Sequence, residues 1–183
     1  MQARPPPRHL CKALPLLALL LSACAGSPPV PARDIDLALP RQLHVVQREA
    51  GLPDLDRLLV VQQEGQSSRW SMFDPLGVPL ARQLLHNGDW RNDGLLPPNP
   101  KARTLFAELI FAWMPSGQLD HAYGAGNWQE IEFPDGRRQR IFLSGGEPRW
   151  TIEWPAPSQG RDVFTITQDD GLRWRIAPLK EQP

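Results

Sequence analysis

The chain has 183 residues, 41% of them hydrophobic, and its 20 basic and 20 acidic side chains leave no formal net charge at pH 7. A nucleic-acid-binding protein would show an excess of Lys and Arg along one face, so this balance argues against that class. Both cysteines, Cys11 and Cys24, lie in the first 24 residues. The rest of the chain therefore has no thiol for a disulfide, a metal site or a nucleophile.

The first 23 residues are typical of an export signal. Arg4, Arg8 and Lys12 precede an apolar run at 13–21 that is too short to span a bilayer as a helix. The run ends in Leu21-Ser22-Ala23-Cys24, which resembles the lipobox of bacterial lipoproteins. That resemblance implies a signal peptide at 1–23 and a diacylglyceryl thioether and N-acyl chain on Cys24. An ordinary secretory signal is the alternative.

Removal of 23 of the 183 residues would leave 160, enough for one domain, with 17 basic and 20 acidic side chains. Four prolines lie between residues 25 and 40, where no hydrophobic periodicity is present. This composition predicts an extended tether. Together with the acylation of Cys24 that the lipobox resemblance implies, the tether would comprise 24–40 and hold a domain at 41–183 away from the membrane. No cofactor is expected apart from the covalent lipid.

Short segments of alternating polar and apolar residues follow the tether and predict antiparallel strands. Trp150, Ile152 and Trp154 fall on one face of such a segment, with Thr151 and Glu153 on the other. The predicted strands are 42–49, 57–63, 69–73, 78–85, 128–133, 138–143, 150–154, 163–168 and 172–177.

One segment has helical signals instead. Asn99 is a good N-cap, Pro100 suits the first turn and Pro115 ends the pattern, which predicts a helix at 101–114. Apolar residues surround its axis, so protein must cover most of it, most simply in the concave face of a curved sheet. Residues 116–123 are predicted to add a second short helical turn. The fold class is therefore mainly β (α+β), with about 9–11 strands.

Two stretches support a family resemblance. Residues 60–65, Val-Val-Gln-Gln-Glu-Gly, and 69–77, Arg-Trp-Ser-Met-Phe-Asp-Pro-Leu-Gly, resemble the paired strands and Pro-Leu-Gly turn of LolB, the outer-membrane lipoprotein receptor. The whole mature chain, most clearly from about Leu58 to Leu179, is more closely similar to a proteobacterial lipoprotein family of undefined function, distantly related to LolB and sometimes linked to aryl-polyene biosynthesis. This resemblance implies an open, curved half-barrel of the LolA/LolB type, closed by helices over an apolar cavity.

The resemblance also implies functional residues. The exposed, membrane-contacting leucine of LolB corresponds to Leu76, although the residues alone favour a half-buried leucine in an ordinary hairpin turn. The segment between Leu85 and Asn99 is shorter than its LolB counterpart, which implies a smaller or differently closed cavity. The candidate cavity-lining residues are Trp70, Leu105, Leu109, Trp113, Trp150, Ile152, Trp154 and Trp174.

Two other groups of residues give weaker indications of function. Ser116, Asp120 and His121 lack the strained nucleophile turn and oxyanion donors of a hydrolase, and the scattered histidines lack metal-ligand spacing, so neither an enzyme nor a metal site is expected. Arg137, Arg138 and Arg140 form either a basic patch for anionic head groups or an acidic carrier, or simply a solvated strand face. Both interpretations place the three arginines on the surface.

The sequence thus predicts a monomeric, non-enzymatic lipoprotein facing the periplasm. Ala25 follows the cysteine where an Asp would signal inner-membrane retention in enteric bacteria, which indicates the inner leaflet of the outer membrane. Its expected partners are a LolA-like periplasmic carrier and an acyl chain, polyene lipid or lipoprotein cargo. The alternatives are an accessory or scaffold lipoprotein with a packed core, in an envelope or pigment assembly, and a weak hydrolase.

Overall fold

A computed structural model describes residues 28–32, 35–159 and 162–179. The predicted signal peptide and Cys24 lie outside these described residues. The described chain forms ten strands, two α-helices and a 3-10 turn at Pro157–Gln159, which precedes the last two strands. The strands are β1 (Arg41–Arg48), β2 (Leu55–Glu64), β3 (Ser67–Phe73), β4 (Pro79–His86), β5 (Asp89–Asn92), β6 (Trp128–Glu132), β7 (Arg138–Ser144), β8 (Glu147–Trp154), β9 (Phe164–Gln168) and β10 (Arg173–Pro178); the helices are α1 (Pro100–Trp113) and α2 (Ser116–Tyr123).

All ten strands belong to one antiparallel sheet in the order β5-β4-β3-β2-β1-β10-β9-β8-β7-β6. Each half of the sheet is a meander of neighbouring hairpins, and the first and last strands, β1 and β10, join the halves in the middle. The edge strands β5 and β6 are consecutive in the chain, so α1 and α2 connect the two open edges. The helices must therefore cross one face of the sheet.

The sheet curves around α1. The Phe106 ring lies 5.3 Å from that of Trp70 on β3, and the Phe111 ring lies 5.7 Å from that of Phe142 on β7. In a flat sheet six strand spacings would separate β3 from β7 by about 29 Å. Phe106 and Phe111 are only about 7.5 Å apart along the helix. One helix reaches both strands only because the sheet wraps around it.

The N-cap and first turn of α1 match the sequence prediction. The Asn99 Oδ1 accepts a hydrogen bond from the Ala102 amide at 3.0 Å, and Pro100 occupies the first turn. Nine of its 14 residues are buried, which confirms that protein covers most of the helix. The second predicted helical segment is present as α2, with the predicted limits.

Nine predicted strands are confirmed, whereas β5 was not predicted. This strand has four residues and follows a two-residue turn in which Asn87 and Gly88 have φ angles of 49° and 82°. An Asn-Gly pair suits these positive angles and is a strong hairpin signal. Polar and apolar residues do not alternate along the strand, because Trp90 is its only apolar residue. The pattern therefore did not predict it.

The packed part of the chain begins before the predicted boundary at residue 41. Leu37 is buried in the core, and Val30, Ile35 and Leu39 pack against it. These apolar side chains lie within the segment predicted to be a free tether. Burial of these side chains stabilises the packed position of the segment, because each fully buried side chain of this size contributes about 1.5–3 kcal/mol.

Candidate functional site

The concave face of the sheet is filled by α1. Six of the eight predicted cavity-lining residues are buried in the core around the helix, and Trp113 and Trp154 pack against it while partly exposed. The face shared by Trp150, Ile152 and Trp154 is the inner one, as the alternation predicts. Leu105, Leu109 and Trp113 belong to α1 itself, and the predicted residues on the strands pack in the same core. The eight residues therefore form a packed core and do not line an open cavity. The six buried residues are Trp70, Leu105, Leu109, Trp150, Ile152 and Trp174.

Aromatic rings join α1 to the β3 and β5 side of the sheet. We call this group the aromatic seam: Trp70, Trp90, Phe106 and Trp113. The Trp70 and Trp113 rings stack at 5.8 Å between centroids, and Phe106 lies 5.9 Å from Trp90. The contacts depend on shape and apolar area more than on direction. The Trp70 indole donates to the Ser68 hydroxyl at 2.9 Å, whereas Trp90 Nε1 has no hydrogen-bond partner among the described residues.

A buried arginine holds the other side of α1. Arg140 on β7 donates from Nη1 to the carbonyl oxygens of Phe111 and Met114, both at 2.8 Å, and from Nε to Glu130 Oε2 at 2.7 Å. Its Nη2 donates to the Ser116 hydroxyl at 3.1 Å. The guanidinium thus satisfies carbonyls at the helix C-terminus and opposes its negative dipole end. We call this group the arginine anchor.

The prediction that three arginines lie on the surface is wrong for Arg140, whereas the side chain of Arg137 is exposed and that of Arg138 is partly exposed. Arg138 and Arg140 share the inner face of β7 with Phe142, because side chains alternate along a strand. The Arg138 guanidinium lies 4.0 Å from the Trp154 ring, while Arg137 pairs with Asp135 in the preceding turn. Burial lowers the pKa of Arg140, and its hydrogen bond and charge interaction with Glu130 oppose that shift.

An apolar recess of about 610 Å³ lies where the N-terminal segment meets the end of α1 and α2. Its size falls within the range of about 300–1,000 Å³ typical of ligand sites. Most of its wall is apolar, and Gln118 and His121 supply side-chain polar groups at its border. Its lining residues are Pro31, Ala32, Ile35, Met114, Gly117, Gln118, His121 and Ala122. None of them was a predicted cavity residue.

A carboxyl group is buried on α1. Glu108 is fully buried, and neither carboxylate oxygen has a hydrogen-bond partner among the described residues. Burial raises its pKa well above the ordinary range; the neighbouring Gln168 side chain opposes this shift, and the charges of Asp170 and Asp169 add to it. The sequence signal is a lone acidic residue within 105–113, where every other residue is apolar.

Several apolar side chains are exposed at one end of the sheet. Leu76, in the turn between β3 and β4, is 89% exposed, in agreement with the family resemblance and not with a half-buried turn residue. Asp74 Oδ1 accepts hydrogen bonds from the Leu76 and Val78 amides and shapes this turn. The turn between β1 and β2 and the loop before α1 lie at the same end. We call the exposed group the apolar rim: Leu52, Leu76, Val78 and Leu95.

The N-terminal segment lies at the opposite end. The carbonyl oxygen of Pro31 is only 2.8 Å from the position that a Cβ would take at Gly88, in the turn after β4. Leu76 lies in the turn before β4, and a strand of eight residues spans about 27 Å. The apolar rim and the described segment 28–32 are thus separated by about the length of a strand.

Ser116, Asp120 and His121 are not brought together as a hydrolytic group. The Ser116 hydroxyl donates to Glu130 at 3.0 Å, Asp120 accepts from the Trp128 indole at 2.8 Å, and His121 borders the recess. Within the described ranges, no group of three or more His, Cys, Asp and Glu side chains could hold a metal ion. None of the described helices is both long and apolar enough to cross a bilayer.

The comparisons with known proteins give no family assignment. The chain matches no protein-family model and no curated protein sequence.

Proposed function

We propose that this protein is a lipid-anchored, non-enzymatic lipoprotein of the outer membrane that accepts an acyl chain, or a lipid bearing one, in the apolar recess beside α2. The observation that carries this proposal is the recess itself, about 610 Å³ with a mostly apolar wall. An apolar ligand gains about 0.8 kcal/mol for each methylene that it buries. A chain of several methylenes therefore binds such a wall without any charged partner.

The fold supports a LolB-like assignment as part of this proposal. An open antiparallel sheet curved around an apolar helix agrees with the architecture that the resemblance implies. The described chain differs in that α1 fills the concave face, so the recess at the helix ends is the available ligand site. On this proposal, a LolA-like carrier would deliver an acyl or polyene lipid more readily than a whole lipoprotein.

Membrane association is the second part of the proposal. Acyl chains on Cys24 would anchor the protein, and Leu76, which is 89% exposed in its turn, would enter the lipid interface. The described N-terminal segment and the apolar rim lie at opposite ends of the sheet. Both would therefore touch one bilayer with the strands lying along its surface.

A packed scaffold is the second candidate, and the filled concave face favours it. In that case α1 is a permanent core element, and the protein docks an envelope or pigment assembly without taking up lipid. The two functions differ in whether the recess beside α2 binds an acyl chain.

Displacement of a fluorescent fatty acid tests the recess directly. The full chain with Cys24→Ala avoids competition from its own acyl groups. Gly117 borders the recess, and a Cβ added there would have no neighbouring atom within 4 Å, so Gly117→Leu should fill the space and weaken binding at least tenfold. Gly117→Ala is the matched control and should bind normally. Equal binding by both variants, or no saturable binding by the parent chain, would favour the scaffold.

Vesicle sedimentation of the same unacylated chain tests the membrane contact. Leu76→Glu removes an apolar contribution of about 1.5–3 kcal/mol if the side chain is fully buried in lipid, so the bound fraction should fall strongly while the melting temperature stays unchanged. Leu179→Glu changes a partly exposed leucine at the opposite end and should have little effect. A Leu76→Glu variant that is folded and binds normally would contradict a membrane role for Leu76.

A further inference from the structure

Three arginines surround a shallow recess on the outer face of the sheet. The register places Arg48 on β1 directly opposite Arg173 on β10, and Arg175 follows on the same face. Directly opposite side chains of an antiparallel pair have Cβ atoms about 5 Å apart, so two like charges there are destabilising. A bound anion would convert this repulsion into attraction.

Carboxylates near these arginines do not balance their charge. Arg48 Nε lies 2.8 Å from Asp54 Oδ2 in an exposed ion pair. Arg173 and Arg175 form no ion pair or side-chain hydrogen bond within the described chain. Glu153 is the one acidic residue among those that line the recess, and it accepts a hydrogen bond from Gln139 at 3.2 Å. With Asp54 counted, three positive charges stand against two negative charges, which leaves one positive charge in excess.

Threonine hydroxyls complete the recess, which has a volume of about 490 Å³. Thr167 is the register partner of both Arg173 and Thr151, and Thr165 is the partner of Arg175. None of these three hydroxyls has a side-chain hydrogen bond to another described residue. Hydroxyl donors beside guanidinium groups are well suited to phosphate, because Arg binds its oxygens in a forked, bidentate geometry.

We propose that Arg48, Arg173 and Arg175, with the three threonines, form a binding site for a phosphate group. The site lies next to the apolar rim, because Arg48 precedes the turn that carries Leu52. A bilayer in contact with the rim would present its headgroup phosphates at this level. The bilayer as source rests on the proposed membrane association, whereas the phosphate site itself does not.

Titration of the full Cys24→Ala chain with inorganic phosphate, followed by amide NMR spectra, tests the site without any membrane. Saturable shifts are expected in β9 and β10. Arg173→Gln should weaken phosphate binding at least fivefold, whereas Arg91→Gln, which removes an exposed charge from β5, should leave it unchanged. Equal effects of the two substitutions, or no saturable shift, would overturn the proposal.

Vesicle binding then identifies the source of the phosphate. One basic residue near an anionic surface contributes about 1 kcal/mol, or roughly a fivefold change in partitioning. For vesicles with equal parts phosphatidylcholine and phosphatidylglycerol, a loss in Arg173→Gln but not in Arg91→Gln supports a lipid headgroup. Normal vesicle binding with lost phosphate shifts supports a soluble phosphorylated ligand at the same site. Fatty-acid displacement separately measures binding in the apolar recess beside α2. Failure of the proposed acyl-chain function can therefore be distinguished from failure of the phosphate site.

Discussion

The two sides of α1 are attached to the sheet by different kinds of interaction. On one side the aromatic seam packs rings against Phe106 at centroid distances of 5.3 and 5.9 Å. On the other side the arginine anchor holds the helix terminus by directed hydrogen bonds of 2.8 Å to two backbone carbonyls. Ring contacts adapt to a new apolar neighbour, whereas buried hydrogen bonds tolerate little displacement.

This difference indicates which side of the helix would move if α1 makes room for a ligand. Separation of the aromatic seam exposes apolar surface that a lipid chain covers again. Separation of the arginine anchor leaves a buried guanidinium and helix carbonyls without partners, at a cost of about 1–3 kcal/mol for each group. The arginine anchor therefore acts as the fixed side and the aromatic seam as the adaptable side.

Removal of the anchor should have the largest effect. Arg140→Met leaves the carbonyls of Phe111 and Met114 without this donor and leaves Glu130 with only the Ser116 hydroxyl at 3.0 Å and the more distant Arg138. Loss of one partner of a buried ion pair costs about 3–5 kcal/mol. Urea denaturation should show this loss. The double variant Arg140→Met, Glu130→Gln should recover part of it, because no unpaired carboxylate remains. A loss below about 1 kcal/mol for Arg140→Met would show that the anchor is not a principal contact.

Truncation within the aromatic seam should cost less and should be rescued by an apolar ligand. Trp90 is only partly buried, so Trp90→Ala should destabilise the fold by about 2–3 kcal/mol, below the usual range for a fully buried Trp. Indole added in solution should raise the melting temperature of this variant by occupying the space, as apolar cavities accept apolar ligands. Arg140→Met is the control, and equal rescue of both variants would remove the proposed distinction between the two sides.

Local sequence signals predicted much of this architecture, and contacts between distant segments account for what was missed. The alternation around Trp150 and Trp174 depends on only a few neighbouring residues, and so does the Asn99 cap. Nine strands and α1 could therefore be predicted from the sequence. The inner position of Arg140 was also implied by its two-residue spacing from Phe142. The sequence did not imply the hydrogen bonds from Arg140 to the end of α1, because the bonded residues are 29 and 26 positions apart in the chain.

The candidate site was less predictable than the fold for the same reason. Alternation placed the tryptophans on the inner face but could not show that α1 fills the space between them. The recess arises where Pro31 and Ile35 meet α2, a contact between two weakly patterned segments far apart in the chain. The apolar rim depends on the meander, which brings Leu52 to the same end as Leu76.

Glu108 provides the opposite case to Arg140, because neither of its buried carboxylate oxygens has a hydrogen-bond partner among the described residues. Substitution of Glu108 should change the free energy of unfolding least at low pH. Because burial raises its folded-state pKa, the folded protein retains this proton at pH values where the unfolded chain has lost it. The contribution of Glu108 to the free energy of unfolding should therefore be greatest below its unfolded-state pKa of about 4.3. It should fall as the pH rises towards the folded-state pKa, by at most about 1.4 kcal/mol per pH unit.

Glu108→Gln keeps the shape of the side chain and cannot ionise. This variant should therefore match the parent chain in stability at low pH and become progressively more stable than the parent chain as the pH rises above about 4.3. Urea denaturation at a series of pH values measures the difference, and Glu153→Gln on the exposed outer face is the matched control. Parallel pH profiles for Glu108→Gln and the parent chain would show that Glu108 finds a partner in solution, which would make α1 less apolar on this side than its burial indicates.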